Sequence, residues 1–533
     1  MFKKFVQDEG GNYAIIFSML AMPLLLGVGL SIDYTNTLRI RRELQAATDA
    51  AALAVAQKGD TINEKEADKL GLSFFVGNFD PDYTNFKVKR AGNTVTVDAK
   101  MTLSLHFGGI LGMKSVDLAA GSTVEIEIAK YEIALALDTT GSMSGAKLQS
   151  MKDAVNQMVD NMAKQNPKLG TLKFSVVPFS SMVNVGPQYG PAYNGNKVSR
   201  QPAAWLDYRA TSPIAQSDLD PGISRFAMYK HLDRPWPGCV ETRPVYGGID
   251  YGVNDADPNP ATPATLYVPS FASDDRDGQP GPNNYLNDSG AAIGTLSPVD
   301  RMGRYGASYM PILKNASFDD QIGASASWAS RSPDYSIQSY YSNYAVKKGP
   351  DFGCDTQPLM PLTTDFAAVK SKVNSLVAMG STNILEGAMW GWRSLSARAP
   401  FTEGSASNKL GVRKILVLLT DGTNSLGTIR NSMGSTNTSF GYLADGRLGI
   451  SSGTNTQITN AMNDKTLAAC TNAKADGMEI YTIRLEEPNV TTGNLLRDCA
   501  SSADHYLDVP DSSLLDEAFA KIAKKIVRIR LAS

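Results

Sequence analysis

The sequence predicts an α/β fold: an N-terminal transmembrane helix with a small α+β module, then a doubly wound parallel sheet that carries a large irregular insertion. Three observations lead there. Residues 13–32, YAIIFSMLAMPLLLGVGLSI, run for twenty residues without a charge. From about 70 to 130, apolar and polar residues alternate with period two, the mark of half-buried strands. From Glu132 on, short apolar runs alternate with helical patterns, as a parallel sheet covered on both faces requires. The boundaries follow from these shifts: an anchor and continuing helix over 1–58, a small antiparallel-sheet module over 59–130, a sheet domain in two parts over 131–186 and 362–533, and an inserted subdomain over 187–361. A chain of 533 residues has room for about that many bodies.

At about 1.5 Å per residue, the uncharged run covers the roughly 30 Å of a bilayer core. It is longer than the usual apolar region of a signal peptide, and no A-x-A cleavage motif follows, so an uncleaved anchor is expected. Lys3 and Lys4 precede it and Arg39, Arg41 and Arg42 follow it, so charge does not orient it. Pro23 predicts a kink. Beyond the run, Ile40, Leu44, Ala47, Ala51 and Val55 fall on one stripe, which predicts that the helix continues. Gly11-Asn12, the apolar run, Gly29, Asp33 and Tyr34 together resemble the Tad-type helix of Flp pilus-assembly proteins. The segment is also similar to the first helix of type IV pilins, half anchor and half support, which implies a pilin-like module behind it. In that module TNFKVKR (84–90), NTVTVDAKMTLSLHF (93–107) and STVEIEIAK (122–130) alternate, with Gly92-Asn93 as a turn.

Composition narrows the chemistry. Lys and Arg total 51 against 53 Asp and Glu, which excludes a polybasic nucleic-acid binder. The three histidines (His106, His231, His505) and four cysteines form neither C-x-x-C nor H-E-x-x-H, which excludes a zinc site or haem attachment. Any metal here must be held by oxygen.

The oxygen donors stand at predicted strand ends. EIALALD ends in Asp138, and Thr139-Thr140-Gly141-Ser142 follows before a helical pattern from Ala146 to about Ala163. In a doubly wound sheet, ligands bind at the carboxyl ends of such strands. KILVLLTDG (414–422) is a second such run, ending in Asp421-Gly422. Between them Gly380-Ser381-Thr382-Asn383 opens a helix over 384–396. Further strands are expected at 171–179, 477–485 and 505–509, and helices at 456–475, 491–500 and 513–527. Over 130–186 and 362–530 the chain resembles a von Willebrand factor A domain, which implies a Rossmann-like sheet and a metal-ion-dependent adhesion site. That site takes an Asp-x-Ser-x-Ser loop, a Thr from a second loop and an Asp from a third. By this resemblance Thr140, Ser142 and Thr382 offer hydroxyls, and Asp138 and Asp421 bind directly or through water. Thr140 replaces the first Ser and keeps its hydroxyl. The implied ion is Mg²⁺, or Ca²⁺ or Mn²⁺. Two carboxylates leave a divalent ion little surplus negative charge, so it stays attractive to an acidic group on a protein partner.

The insertion carries turn-rich runs (254–265 and 273–284) and several tyrosines, Tyr335, Tyr340, Tyr341 and Tyr344. A structureless loop of that length is implausible in a compact domain, so an irregular subdomain near the metal face is expected, either a partner-binding surface or a shield. Asp275-Arg276-Asp277-Gly278 is similar to a calcium loop but lacks the full D-x-D-x-D-G and the closing Glu. Cys239, Cys354, Cys470 and Cys499 permit three pairings. The pairing Cys239–Cys354 with Cys470–Cys499 is the economical one, and an exported chain favours disulfides.

The combination resembles TadG-type proteins of the Flp, or tight-adherence, pilus system. That implies a bacterial cell-envelope protein with a single-pass inner-membrane anchor and an exported bulk, in the periplasm or on the surface. Its partners would be pilus-assembly components or another protein's acidic group, with no nucleic acid. Two alternatives stand beside it. In one, Asp138 is the nucleophile of a phosphatase-like enzyme, although Thr140 sits where such enzymes keep a second acid. In the other, the chain is a structural stalk with a degenerate metal site. Few histidines are available for a hydrolase triad, so no enzyme is expected.

Overall fold

The computed structural model describes residues 11–58, 62–91, 94–125, 130–165, 170–214, 222–275, 283–286, 316–324, 334–341, 344–407, 409, 412–427 and 433–527. The chain divides into two compact units, 1–128 and 129–527.

In the first unit α1 (Gly11–Lys58) is one helix of 48 residues that runs through Pro23. It is long and apolar enough to cross a membrane. Its large apolar side chains from Ile16 to Ile32 are mostly exposed, whereas the stripe Ile40, Leu44, Ala47, Ala51 and Val55 is buried. That stripe packs on α2 (Glu64–Asn78) and on a sheet of β1 (Asn85–Ala91), β2 (Thr94–Ser104) and β3 (Ser115–Glu125), antiparallel in the order β1-β2-β3. Val95, Val97, Ala99 and Met101 of β2 are all buried, as period two requires. The period-two reading from about residue 70 is corrected by α2. Asn63 and Glu66 form a capping box, each side chain accepting the other's backbone N–H, and this local signal starts a helix there. The turn at Gly92-Asn93 lies outside the described residues.

The second unit is built on β4 (Lys130–Asp138), α3 (Ala146–Gln165), β5 (Leu172–Phe179), β6 (Met360–Thr363), α4 (Phe366–Asn374), α5 (Ile384–Leu395), β7 (Val412–Thr420), α6 (Asn455–Ala475), β8 (Met478–Leu485), α7 (Val490–Cys499), β9 (Tyr506–Val509) and α8 (Leu515–Val527). The sheet order is β6-β5-β4-β7-β8-β9, parallel throughout except β6, which runs antiparallel to β5. Sequence reading missed β6 and α4. Four residues including Pro361 give no periodic signal, and proline is tolerated at this edge position. The direction of winding reverses between β4 and β7, which opens a crevice at their carboxyl ends.

The two faces of the sheet differ. Ile133, Leu135 and Leu137 of β4 face α3, α4 and α8. Ala134 and Ala136 face α5, α6 and α7. The small side chains let α5 come close: a Cβ on Gly387 would lie 2.6 Å from the Phe179 ring and 3.0 Å from Leu418, and one on Gly391 would collide with Leu416. Every residue of α5 is buried, because residues of the insertion cover it from outside. Phe226, Tyr229, Trp236, Tyr267, Phe271 and Tyr285 join Trp390 and Leu416 in one core. The insertion therefore lies within the same compact unit as the sheet. The buried Arg243 guanidinium donates to the carbonyls of Tyr251, Asn254, Ala256 and Thr265 and stacks 4.8 Å from the Tyr267 ring centroid. Glu241, fully buried, pairs with Arg225 and with Arg447, the latter at 2.5 Å. Cys239 pairs with Cys354 and Cys470 with Cys499, at Cα separations of 5.7 and 5.2 Å. Most of the Asp275–Gly278 run lies outside the described residues; Asp275 itself accepts the N–H of Asn283 at 2.8 Å.

Candidate metal site

Asp138 is the last residue of β4 and Asp421 follows the last residue of β7, so the sheet delivers both carboxylates to the crevice where the winding reverses. The Asp138 carboxylate accepts the Thr140 N–H at 2.8 Å and the Thr420 hydroxyl at 2.6 Å. The Thr140 N–H bond curls the loop back over the strand end, and a 3₁₀ turn over Gly141–Met143 buries Gly141 and Met143 and leaves Ser142 exposed at the rim, against Asp421. Thr139 ties the loop to its neighbours: its N–H donates to Phe179 O at 3.0 Å, and its carbonyl accepts the Met379 N–H at 2.7 Å. The Gly141 N–H donates to Gly380 O at 3.0 Å. Gly380 has φ +85°, which favours glycine.

All five expected residues meet. The Thr140 and Ser142 hydroxyl oxygens are 2.9 Å apart, Ser142 Oγ donates to Asp421 at 2.6 Å, and Thr382 Oγ1 lies 3.5 Å from Thr140 Oγ1. Gly422 is the device that lets Thr382 approach, since a Cβ there would lie 2.7 Å from Thr382 Oγ1. Burial, and after it the charge of Asp421, push the Asp138 carboxyl up to about 7. Two acids held together in a buried place favour a cation between them.

Three residues were missed from the sequence. Lys147 Nζ, in the first turn of α3, donates to Asp421 at 2.8 Å and lies 3.6 Å from Glu486. Burial works against its charge, but the hydrogen bond to Asp421 and the charges of Asp421 and Glu486 outweigh that and hold its pKa above the ordinary value. Thr420 was passed over although it stands directly before Asp421. Asn424 accepts the Ile384 N–H at 2.7 Å, which pins the start of α5 just after Thr382.

The donor set is two carboxylates and three hydroxyls. Among the described residues no group of three His, Cys, Asp or Glu side chains is placed to hold a metal, so hydroxyl oxygens would have to complete any coordination here. They fit that task. A hydroxyl has one proton and two lone pairs, so Ser142 can donate to Asp421 and still offer oxygen to a hard ion.

Residues 11–58 match the Tad family, described as putative Flp pilus-assembly TadE/G-like, so α1 carries a Tad-like segment. Among curated proteins, none matches the chain. Similar solved structures include the pilus adhesin SpaC from Lactobacillus rhamnosus GG, with 11% identity, TM-score 0.29, and coverage of 84% of this chain and 35% of that one. The chain thus spans about a third of SpaC's length. Another is the vWF domain of the type V pili tip protein Mfa5 from Porphyromonas gingivalis, with 10% identity, TM-score 0.32, and coverage of 76% and 98%. A third is the pilus adhesin RrgA from Streptococcus pneumoniae, with 9% identity, TM-score 0.32, and coverage of 84% and 49%.

Proposed function

We propose that this is a membrane-anchored protein of the bacterial cell envelope, working in Flp/Tad pilus assembly or attachment. In this reading its second unit is a von Willebrand factor A domain that binds a protein partner's acidic group through a divalent cation, Mg²⁺ or else Ca²⁺ or Mn²⁺. The observation that carries the reading is the meeting of Asp138, Thr140, Ser142, Thr382 and Asp421 at the crevice, from three separate loops. The Tad-like helix supports the envelope setting. The two carboxylates would balance a divalent ion, the hydroxyls would complete its shell, and a partner carboxylate would take the outward position. A phosphatase reading is weaker, because Asp138 is fully buried and already accepts from the Thr140 N–H and the Thr420 hydroxyl. A stalk with a degenerate site remains the second reading, and the same experiment separates it.

The test is thermal melting during Mg²⁺ or Mn²⁺ titration. An ion that binds only the folded state at 100 times its Kd adds about 2.7 kcal/mol of stability. The shift should vanish in Asp138→Ala. A wild-type chain without a shift, or an Asp138→Ala variant that keeps it, sinks the adhesion-site reading. The pH dependence is a second check. With its pKa raised from the ordinary 3.8 to about 7, Asp138 holds a proton in the fold that the unfolded chain has lost between those values. Without cation, stability therefore falls as pH rises from about 4 to about 7 and levels off above. Cation binding expels that proton, so affinity measured by calorimetry should rise with pH across the same window.

A further inference from the structure

The loop between β2 and β3 stands out in the first unit. Phe107 to Met113, FGGILGM, has no charged residue, and His106 and Lys114 flank it. Phe107, Ile110, Leu111 and Met113 are 37, 65, 58 and 58% exposed. A loop usually keeps its apolar side chains covered, and within this unit these four are left bare.

The loop is fixed at one height on α1. The Asp33 carboxylate accepts the N–H groups of His106, Phe107 and Gly108 at 3.0, 2.7 and 2.7 Å. One turn earlier, Gly29 leaves room for the Phe107 ring, which a Cβ would meet at 2.6 Å. At the other end of the hairpin, Gln45 donates to Gly121 O at 3.1 Å. From Gln45 back to Asp33 is about 18 Å along a helix, and from Gly121 to Ser115 about 20 Å along a strand. The hairpin thus lies alongside α1 with its tip towards the helix N-terminus. Asp33 is the first charged residue after the uncharged run. It marks the change between the bare stretch of α1, where Leu24, Leu25, Val28 and Ile32 are exposed, and the stretch covered by the module.

We propose that residues 107–113 form a membrane-interface wedge: the loop dips into the bilayer that α1 spans and seats the module on it. The proposal rests on the reading of α1 as an anchor. If residues 13–32 fill the hydrocarbon core, a loop tied at Asp33 and Gly29 is held at the headgroup boundary. There an apolar tip buries itself about 5–10 Å deep, and Lys114 meets anionic headgroups. The partner is the lipid surface, identified by continuity: the bare side chains of the loop adjoin the bare face of the span.

The test uses the full chain in phosphatidylethanolamine/phosphatidylglycerol vesicles. All four native cysteines are paired, so a single added cysteine takes an environment-sensitive fluorophore selectively. Labels are placed at Leu111→Cys, at Ile110→Cys, at Leu24→Cys in the span, and at Val76→Cys on the exposed side of α2. Nitroxides on lipids, both near the headgroup and deep in the acyl chains, and iodide in the water are the quenchers. The proposal expects blue-shifted emission, lipid quenching and loss of iodide quenching at 110 and 111, with the opposite at 76. It also expects Asp33→Ala to weaken lipid quenching at 111 while leaving 24 unchanged. Quenching at 24 with a water-exposed label at 111 overturns the wedge and spares the anchor. A label at 24 that lipid does not quench overturns the anchor and the wedge with it. Shielding at 111 from both quenchers marks a protein partner in place of lipid and overturns the proposal.

Discussion

The two faces of the central sheet of the second unit are covered by different physics. On the face of α3, α4 and α8 the core is Ile, Leu, Val, Met and Phe at helical and strand spacing, among them Met151, Val155, Met158, Phe519 and Ile522. On the opposite face α5 is fully buried beneath the insertion, and the cover includes rings packed edge to face or tilted, the Arg225–Glu241–Arg447 cluster, the caged Arg243 and the Cys239–Cys354 disulfide. The lesson is one of repeat and exception. A face closed by regular helices needs only periodic burial, whereas a face closed by irregular chain must satisfy each backbone and charged group individually and is helped by covalent staples.

Breaking that cover should cost more than repacking the regular face. The largest effect is expected from removing the Cys239–Cys354 bridge with Cys239→Ser and Cys354→Ser. The bridge joins residues 115 positions apart, and the chain-entropy account gives about 4–5 kcal/mol for a loop near that length. Urea melting should show the loss, and an unchanged midpoint would mean that the insertion is held by its packing alone. Glu241→Ala comes next, at about 3–5 kcal/mol, because it strands two arginines whose side chains are each only 7% exposed. The comparison is sharpened by a pair of apolar changes. Gly391→Ala forces a methyl group into Leu416 and should cost about 1–3 kcal/mol. Met158→Leu, buried on the regular face, should cost less than about 1.5 kcal/mol. Equal losses at the two positions would remove the distinction between the faces.

Legibility in the sequence followed the same division. The strands β4, β5, β7, β8 and β9 and the helices α3, α5, α6, α7 and α8 were legible within a few residues, because burial on a regular element writes itself as a period. The stripe from Ile40 to Val55 was legible for the same reason. Helix α2 was hidden because the period-two reading was started at about residue 70, although the Asn63/Glu66 box announced a helix. Within the insertion Tyr335, Tyr340, Tyr341 and Tyr344 were singled out, but the ring that closes over α5 was not: Tyr267 meets Trp390 across 123 positions, and no period links them. At the site the two acids were legible at the ends of apolar runs, and the resemblance to a von Willebrand factor A domain implied Thr140, Ser142 and Thr382 beside them. Lys147 was not legible, because a lysine in the first turn of a helix has no periodic signature, and only the fold turns it onto Asp421.

By itself the sequence determined the α/β class, the apolar helix and the two acids at the ends of apolar runs. These are written in neighbouring residues, through spacing and through the chemistry of each side chain. Tertiary structure alone decided what those residues do together. Ser142 donates to Asp421 across 279 positions, Gly422 makes room for Thr382, and Asp138 is buried beside a second carboxylate that raises its affinity for a proton. The physical reason is that distance, desolvation and charge coupling are properties of space, and the chain enters that space only once the sheet has closed.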